Sequence, residues 1–455
     1  MEEFFTNIVV MTIASIAVFF FLADRLCVLF PVLKKYHVPL SIIAGLLGMV
    51  IRNLIGQEIF ALQWVDAEVL KIIVYHGLAL VFIAIGLQMP LPQVTDKTNK
   101  DAISFSFGIS SMGALQGLIG MSVVMVLTIL RGSTHPGIGL LLPLGFNQGP
   151  GQALTFGGAW EKTGLQYGAD LGLVMAAFGF LWAIFVGIPL VMYGKHKGWL
   201  HTEDVSSCNQ EHVDIEEQVS TRESMLPAIA KVLCVYVLVF LLLKGATVAL
   251  VNKPKILDLL WGLHFIIALL CAISLRKLFF TNVSAQARAT HNESMTSIAN
   301  FAVDITTMSG LLAMEFAVLA FYAWEVAIVT TLGGIVTLLS SIFLFRRVFN
   351  KDRFAHLVLW FGTATGTMPI GMSLLRMIDP QLQSSAPQNI TVGAAFALVT
   401  SFPNIIILSY AVNAFPDEYP KAGWISVGLL LLYWSILLVL WKKMVGWQTV
   451  THEQK

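Results

Sequence analysis

Gly145-Phe146-Asn147-Gln148-Gly149-Pro150-Gly151-Gln152-Ala153-Leu154 interrupts one long apolar stretch of this chain, and Gly362-Thr363-Ala364-Thr365-Gly366-Thr367-Met368-Pro369-Ile370-Gly371 interrupts another. Glycine and proline both weaken helices. In a bilayer a break also strips backbone amides and carbonyls of partners. It survives only where those groups are buried in protein or line an aqueous cavity. The two breaks occupy the same place in the two halves of the chain. Interrupted segments so matched point to the binding site of a secondary transporter. Singly, each could equally serve close helix packing; the matched pair favours a site.

The surroundings of both breaks read as membrane. The 455 residues are 56% hydrophobic and 12% charged, with a mean hydropathy of +0.77. That is about half the charge of a soluble domain. A formal net charge of +1 gives no case for a nucleic-acid partner or for steering an ionic ligand by overall charge. Cys27, Cys208, Cys234 and Cys271 form neither a CxxC pair nor a metal-ligand spacing, so no disulfide framework or zinc site is expected. The opening Met1-Glu2-Glu3 lacks the basic start of a secretory signal.

About eleven apolar segments reach spanning length. They lie near 5–24, 38–55, 70–89, 104–130, 170–193, 225–243, 258–275, 295–315, 324–345, 390–412 and 422–441. Each broken segment adds a shorter apolar piece, before the fifth and before the tenth span. The predicted fold is an all-α polytopic membrane protein.

Basic residues set the orientation. With the N-terminus outside, the loops holding Arg25, Lys34, Lys35, Lys195, Lys197, Arg276, Lys277, Arg346, Arg347, Lys442 and Lys443 fall on the cytoplasmic side. The expectation is a multi-pass protein of the cell (inner) membrane with a cytoplasmic C-terminus. That bias requires each broken segment to enter and leave on one side. The first would be re-entrant from outside, the second from the cytoplasm. Residues 194–224, with Glu203, Asp204, Glu211, Asp214, Glu216 and Glu217, read as a solvated cytoplasmic linker.

A shift of about 218 residues carries the first five spans onto the sixth to tenth. It lays Gly149 beside Gly366, and Ala176-Ala177-Phe178 on Ala394-Ala395-Phe396. An odd number of crossings per half makes the copies inverted. The predicted organisation is therefore a membrane repeat over 1–193, the linker over 194–224, an inverted repeat over 225–412, and an additional transmembrane helix with a cytoplasmic tail over 413–455.

The candidate site follows from the side chains around the breaks. Asn147, Gln148 and Gln152 both donate and accept hydrogen bonds, and Gly149 and Gly151 free backbone amides that can form an anion-binding nest. In the second break Thr365 and Thr367 flank Gly366, with Pro369 following; hydroxyl and carbonyl oxygens suit a hard cation such as sodium. Asp304 is the most conspicuous acid at membrane depth, and Asn300, Asp304 and Thr307 share one helix face. Asp304 could bind sodium, take up a proton, or hold an interhelical contact. Asn404, after Pro403, could line the same cavity at a break in the tenth span. Gln116 reads as helix–helix glue, Arg376 as a surface residue, and Lys71 as a span-end side chain that snorkels or pairs locally. The chain lacks HExxH, GxSxG and GxxxxGK[ST]. No enzyme, cofactor or resident metal is expected, and drive must come from a gradient.

These features resemble the bacterial sodium/glutamate symporters. The shared residues include Leu33-Lys34-Lys35-Tyr36-His37-Val38-Pro39, Phe82-Ile83-Ala84-Ile85-Gly86-Leu87 and Ala176-Ala177-Phe178-Gly179. Gly149, Gly151 and Ala153 match the family's first glycine-rich loop, and Gly362, Gly366 and Pro369 its second. The first loop departs by Phe146, Asn147 and Gln148 in place of two glycines and a histidine. The second departs by Ala364 and by Thr367-Met368. The eleventh span lies beyond the family's typical end. The resemblance implies two inverted five-helix domains with re-entrant loops, a homodimer, sodium as the coupling ion and glutamate as the solute. The expected function is sodium-coupled symport of a small acidic solute. Proton-coupled or exchange transport of another carboxylate or amino acid, a passive channel and a membrane-embedded enzyme are the alternatives.

Overall fold

A computed structural model describes residues 7–55, 65–89, 100–132, 134–199, 217–253, 257, 260–279, 285–349 and 351–447. Most of the expected linker, and the tail beyond 447, lie outside the described residues. The helices in chain order are α1 (Ile8–Leu29), α2 (Pro31–Lys35), α3 (Leu40–Ile55), α4 (Ala67–Leu87), α5 (Lys100–Arg131), α6 (Gly137–Phe146), α7 (Pro150–Glu161), α8 (Gly168–Phe185) and α9 (Gly187–His196). They continue as α10 (Glu217–Ala249), α11 (His264–Phe279), α12 (Ala285–Ala313), α13 (Phe316–Phe321), α14 (Ala323–Val348), α15 (Arg353–Arg376), α16 (Ala386–Asn413) and α17 (Lys421–Val445).

Among the described residues there is no strand, and eight helical segments are long and apolar enough to cross a membrane, counting α8 with α9 as one and including the broken α15, or nine with α16 and its 57° bend. All eleven predicted spans fall on helices. Three of them, α3, α11 and α12, are short or polar. Each packs against other helices, chiefly α3 on α12 and both α11 and α12 on α4.

The helices sort into two bundles. In the first, α4 packs on α11 and α12, α3 on α12 and α1, and α10 along their backs. In the second, α5 packs on α6, α14, α16 and α17, while α8 packs on α6, α7 and α15. The bundles meet where α4 and α12 touch α7 and α8. Two arginines close the first bundle reciprocally. Arg52 of α3 donates to the Leu312 and Ala313 carbonyls at the end of α12, at 3.3 and 3.2 Å. Arg276 of α11 donates to the Gln88 carbonyl just past α4, at 2.7 Å. Each satisfies carbonyls that a helix end leaves without partners. Lys71, at the start of α4, lies 2.9 Å from both Glu68 and Asp170. It therefore pairs across the bundles, with a side chain only 15% exposed, rather than snorkelling.

Both broken segments are helical hairpins. In the first, α6 runs to Phe146 and α7 leaves from Pro150. A Cβ added at Gly137 would lie 3.1 Å from the Trp160 ring, so the start of α6 stands beside the end of α7. His135 and Thr163 close the base at 3.2 Å. In the second, α15 breaks at Gly366 and Thr367, whose backbone is not helical. Its arms fold back so that Gly362 meets Gly371. Asp352 closes this base by accepting from the Ser385 amide at 2.8 Å and hydroxyl at 2.7 Å.

The hairpins approach α5 from opposite ends. Trp360, in the outer part of the second, packs at Gly108, while Gly139, in the outer part of the first, packs at Gly120. Twelve residues of α-helix separate those contacts by about 18 Å.

The first hairpin's base is sensitive to pH. His135 Nδ1 accepts from the Gly137 amide at 3.1 Å, so the proton sits on Nε2, facing Thr163. The Thr163 hydroxyl donates onward to the Trp160 carbonyl at 2.7 Å. Burial pushes the His135 pKa down from 6.5 to about 4. The folded state thus holds neutral imidazole, whereas the unfolded chain gains a proton near pH 6.5. Stability is full above 6.5 and falls as pH drops toward 4, by about 3 kcal/mol in all. Thermal melts in detergent should show this slope, and His135→Gln should flatten it.

Candidate functional site

The two tips touch. Gly149 takes φ 85° and ψ −178°, and Thr367 takes φ 75° and ψ 166°. The same turn is thus made twice, by residues 218 positions apart. Gly149 therefore corresponds to Thr367, as a shift of 218 requires, one position beyond the Gly366 beside which the sequence reading laid it. A Cβ on Gly149 would lie 2.5 Å from Thr367 Cγ2. Glycine is at home in this backbone region, whereas threonine is strained there by roughly 1–3 kcal/mol, which points to a functional constraint.

Each tip offers two kinds of helix end. The first arms end in carbonyls and the second arms begin in amides. Pro150 and Pro369 occupy first-turn positions, where a missing N–H costs nothing. Gly151 and Gln152 head α7 with amides that have no partner within the helix. These ends favour an anion at the amides and a cation at the carbonyls. The Thr363 and Thr365 hydroxyls donate to the Leu359 and Phe361 carbonyls at 2.7 and 2.8 Å. Their lone pairs remain for a cation.

Buried amide side chains gather where the tips meet α5. Asn147 donates to the Ile109 carbonyl at 3.1 Å. The Nδ2 atoms of Asn147 and Asn404 lie 3.4 and 3.3 Å from where Gly113 would carry a Cβ. Ile109, Gly113, Gln116 and Gly120 fall on one face of α5 at three- and four-residue spacing, a pattern that could have flagged this wall. Gln116 donates to Thr337 at 3.0 Å and to the Ala364 carbonyl at 2.9 Å, joining α5 to α14 and α15 as expected of glue. The side-chain oxygens of Gln116, Asn147, Gln152 and Asn404 are all buried without a hydrogen-bond partner. Orphaned buried acceptors cost roughly 1–3 kcal/mol each, a cost that a water or a bound cation would relieve.

A cavity of about 10 Å³, room for roughly one water, adjoins Asn147. Its walls are Phe105, Ile109, Met112, Trp360, Thr363 and Ala364. Gln148, Thr367 and Pro369 are half-buried at the tips, and Gln152, Thr365 and Gly366 are buried.

Other expected residues are placed elsewhere. The Ser41 hydroxyl of α3 donates to Asp304 of α12 at 2.7 Å, inside the first bundle. Gly310, further along α12, is the residue that meets Pro150 at the first tip. Six residues turn a helix by 600°, so Asp304 faces about 120° away from that contact. Thr307 is buried and lies nearer the contact's face, whereas Asn300 is exposed. Arg376 is exposed, as expected of a surface residue. Pro403 does not itself mark the break in α16. The bend falls between Ala394 and Val399, the turn whose carbonyl a proline ring displaces.

A membrane-embedded helical bundle with two broken hairpins meeting at buried polar groups is built as a carrier, not as a soluble binding protein. The chain belongs to the sodium/glutamate symporter family, whose model matches residues 5–379. It is thus a transmembrane transport protein of a symporter family. No curated protein and no solved structure shows a match to the chain.

Proposed function

We propose that this protein is a sodium-coupled symporter of a small acidic solute, with glutamate the solute its family suggests. The observation that carries the reading is the contact of the two hairpin tips beside buried amide oxygens that lack partners. The solute carboxylate binds the amides of Gly151 and Gln152 at the head of α7, with Gln148 and Thr367 beside it. Sodium binds the Asn147 and Asn404 oxygens and the carbonyl ends of the first arms. The halves 1–193 and 225–412 are inverted repeats, and the hairpins are re-entrant from opposite sides. The reciprocal arginine caps and the opposed approaches to α5 support that symmetry. The second bundle moves against the first to alternate access, in a homodimer of the inner membrane with the N-terminus outside and the C-terminus in the cytoplasm.

The test is uptake by proteoliposomes of a panel of amino acids and carboxylates under imposed sodium, potassium or proton gradients. No sodium-dependent uptake of any acidic solute rejects the function. Asp304→Asn resolves the cation's place. An amide oxygen still accepts from Ser41, so the fold should survive. Weakened sodium coupling in this variant would assign the carboxylate to the ion path. Unchanged coupling would leave the amides as the sodium ligands.

A further inference from the structure

Lys71 and Asp170 form an ion pair between the two bundles, with side chains only 15% and 8% exposed. Lys71 stands near the start of α4 and Asp170 near the start of α8. Seven residues further along α4, Leu78 lies 2.9 Å from where Gly151 of the first tip would carry a Cβ. Seven residues advance a helix by about 10.5 Å and return it to nearly the same face. The pair thus stands two turns from the tip, at the end of the interface. On α8, three residues beyond Asp170, Leu173 meets Gly310 of α12 together with Pro150 of the tip. Between the pair and the tip, Leu70 and Val74 of α4 share one buried apolar cluster with Leu154 and Leu173 of the second bundle. A charged pair and an apolar layer therefore close this end of the interface over the first tip.

The far end is held differently. α3 runs from Ser41, at Asp304, to Arg52, at the end of α12. α4 begins at that same end, because Gly77 meets Thr306 whereas Met89 meets Asn292. His37, just before α3, belongs to the opposite end, where its carbonyl accepts from the Ser373 hydroxyl of α15. Water replaces a hydroxyl–carbonyl bond at little net cost, whereas a buried charge that loses its partner is costly.

We propose that the Lys71–Asp170 pair is a latch that holds the bundle interface shut where α4 and α8 begin, and that it parts in each transport cycle. The inference rests on the proposed motion of the second bundle against the first. The two partners are not equivalent. Without Lys71, Asp170 stays buried and loses the cation it pairs with. Without the Asp170 charge, Lys71 keeps Glu68 at 2.9 Å. Loss of Lys71 therefore opens the interface more than neutralising Asp170 does, and removing both charges relieves the mismatch.

The test follows the apolar layer and the latch separately. Val74→Cys, in the layer, is labelled in proteoliposomes with a membrane-impermeant thiol reagent, and the peptide carrying residue 74 is read by mass spectrometry. Adding Lys71→Met should raise the labelling rate by about ten-fold. Adding Asp170→Asn should raise it less, and adding both should bring it back below the rate of Lys71→Met alone. In the second arm, Lys71→Cys and Asp170→Cys are combined and joined by a short bifunctional thiol reagent that a reductant cleaves. Joining should stop solute uptake and reduction should restore it, with each single cysteine variant, treated alike, as the reference. If Lys71→Met does not fold, Lys71→Gln is read the same way. Unchanged labelling on loss of Lys71, or full uptake by the joined protein, overturns the inference. Absence of sodium-dependent uptake of any acidic solute by the wild-type protein overturns instead the reading on which it rests, and the labelling series still decides the latch.

Discussion

Gly149→Ala is expected to abolish solute uptake while the protein still inserts and assembles. Two costs fall on one atom. The new Cβ would stand 2.5 Å from Thr367 Cγ2, well inside van der Waals contact. The backbone at φ 85° and ψ −178° is also one that only glycine adopts without strain, which costs roughly 1–3 kcal/mol. Both are paid where the tips must meet, so the first tip has to withdraw. A withdrawn tip carries the Gly151 and Gln152 amides and Asn147 with it. Misplacement by about 1 Å can cost on the order of a hundred-fold in a positioned site. Adding Thr367→Ser removes the offending methyl but leaves the φ strain. The double variant should therefore recover part of the uptake. Wild-type uptake by Gly149→Ala, normalised to reconstituted protein, would show that the tips need not touch.

Why threonine stands at one tip and glycine at the other bears on what the chain reveals before it is folded. The breaks, the eleven apolar segments and the shift of about 218 residues were all legible, because composition and spacing carry them. The shift lays Gly149 on Thr367, yet residue chemistry drew the pairing to Gly366. A β-branched residue at positive φ is one that local rules assign elsewhere. Asp304 drew attention because charge is costly at membrane depth, but neither composition nor helical phase reveals that its neighbour is Ser41, 263 positions away. Asn404 was singled out only through Pro403, and the bend proved to lie a turn upstream. The wall of α5 and the pairing of Lys71 with Asp170 depend on contacts between distant segments, to which periodicity is blind. What sequence could name was the backbone device; what it could not name was which side chains the device brings together.

That gathering of amides leads to the second large effect. Asn147→Ala and Asn404→Ala should each raise the sodium concentration for half-maximal uptake by roughly ten- to a hundred-fold, the usual worth of a hydrogen-bonding or ligating group to a charge. The physical case is an imbalance. Both oxygens are buried and unpartnered, so the ion-free protein bears a desolvation cost that a cation would relieve. Because both amides adjoin Gly113, the substitutions should not be independent, and the double variant should lose less than the product of the single effects. Sodium at concentration c stabilises the state it binds by RT ln(1 + c/Kd). Wild-type protein should therefore melt at higher temperature in sodium than in potassium, and both variants should lose that difference. Gln116→Ala serves as the contrast. Its amide nitrogen bridges Thr337 and the Ala364 carbonyl and it is outside the proposed sodium ligands, so its loss should lower the melting temperature in either salt alike. A sodium-dependent shift that survives in Asn147→Ala and Asn404→Ala, but vanishes in Asp304→Asn, would move the cation from the tips to α12.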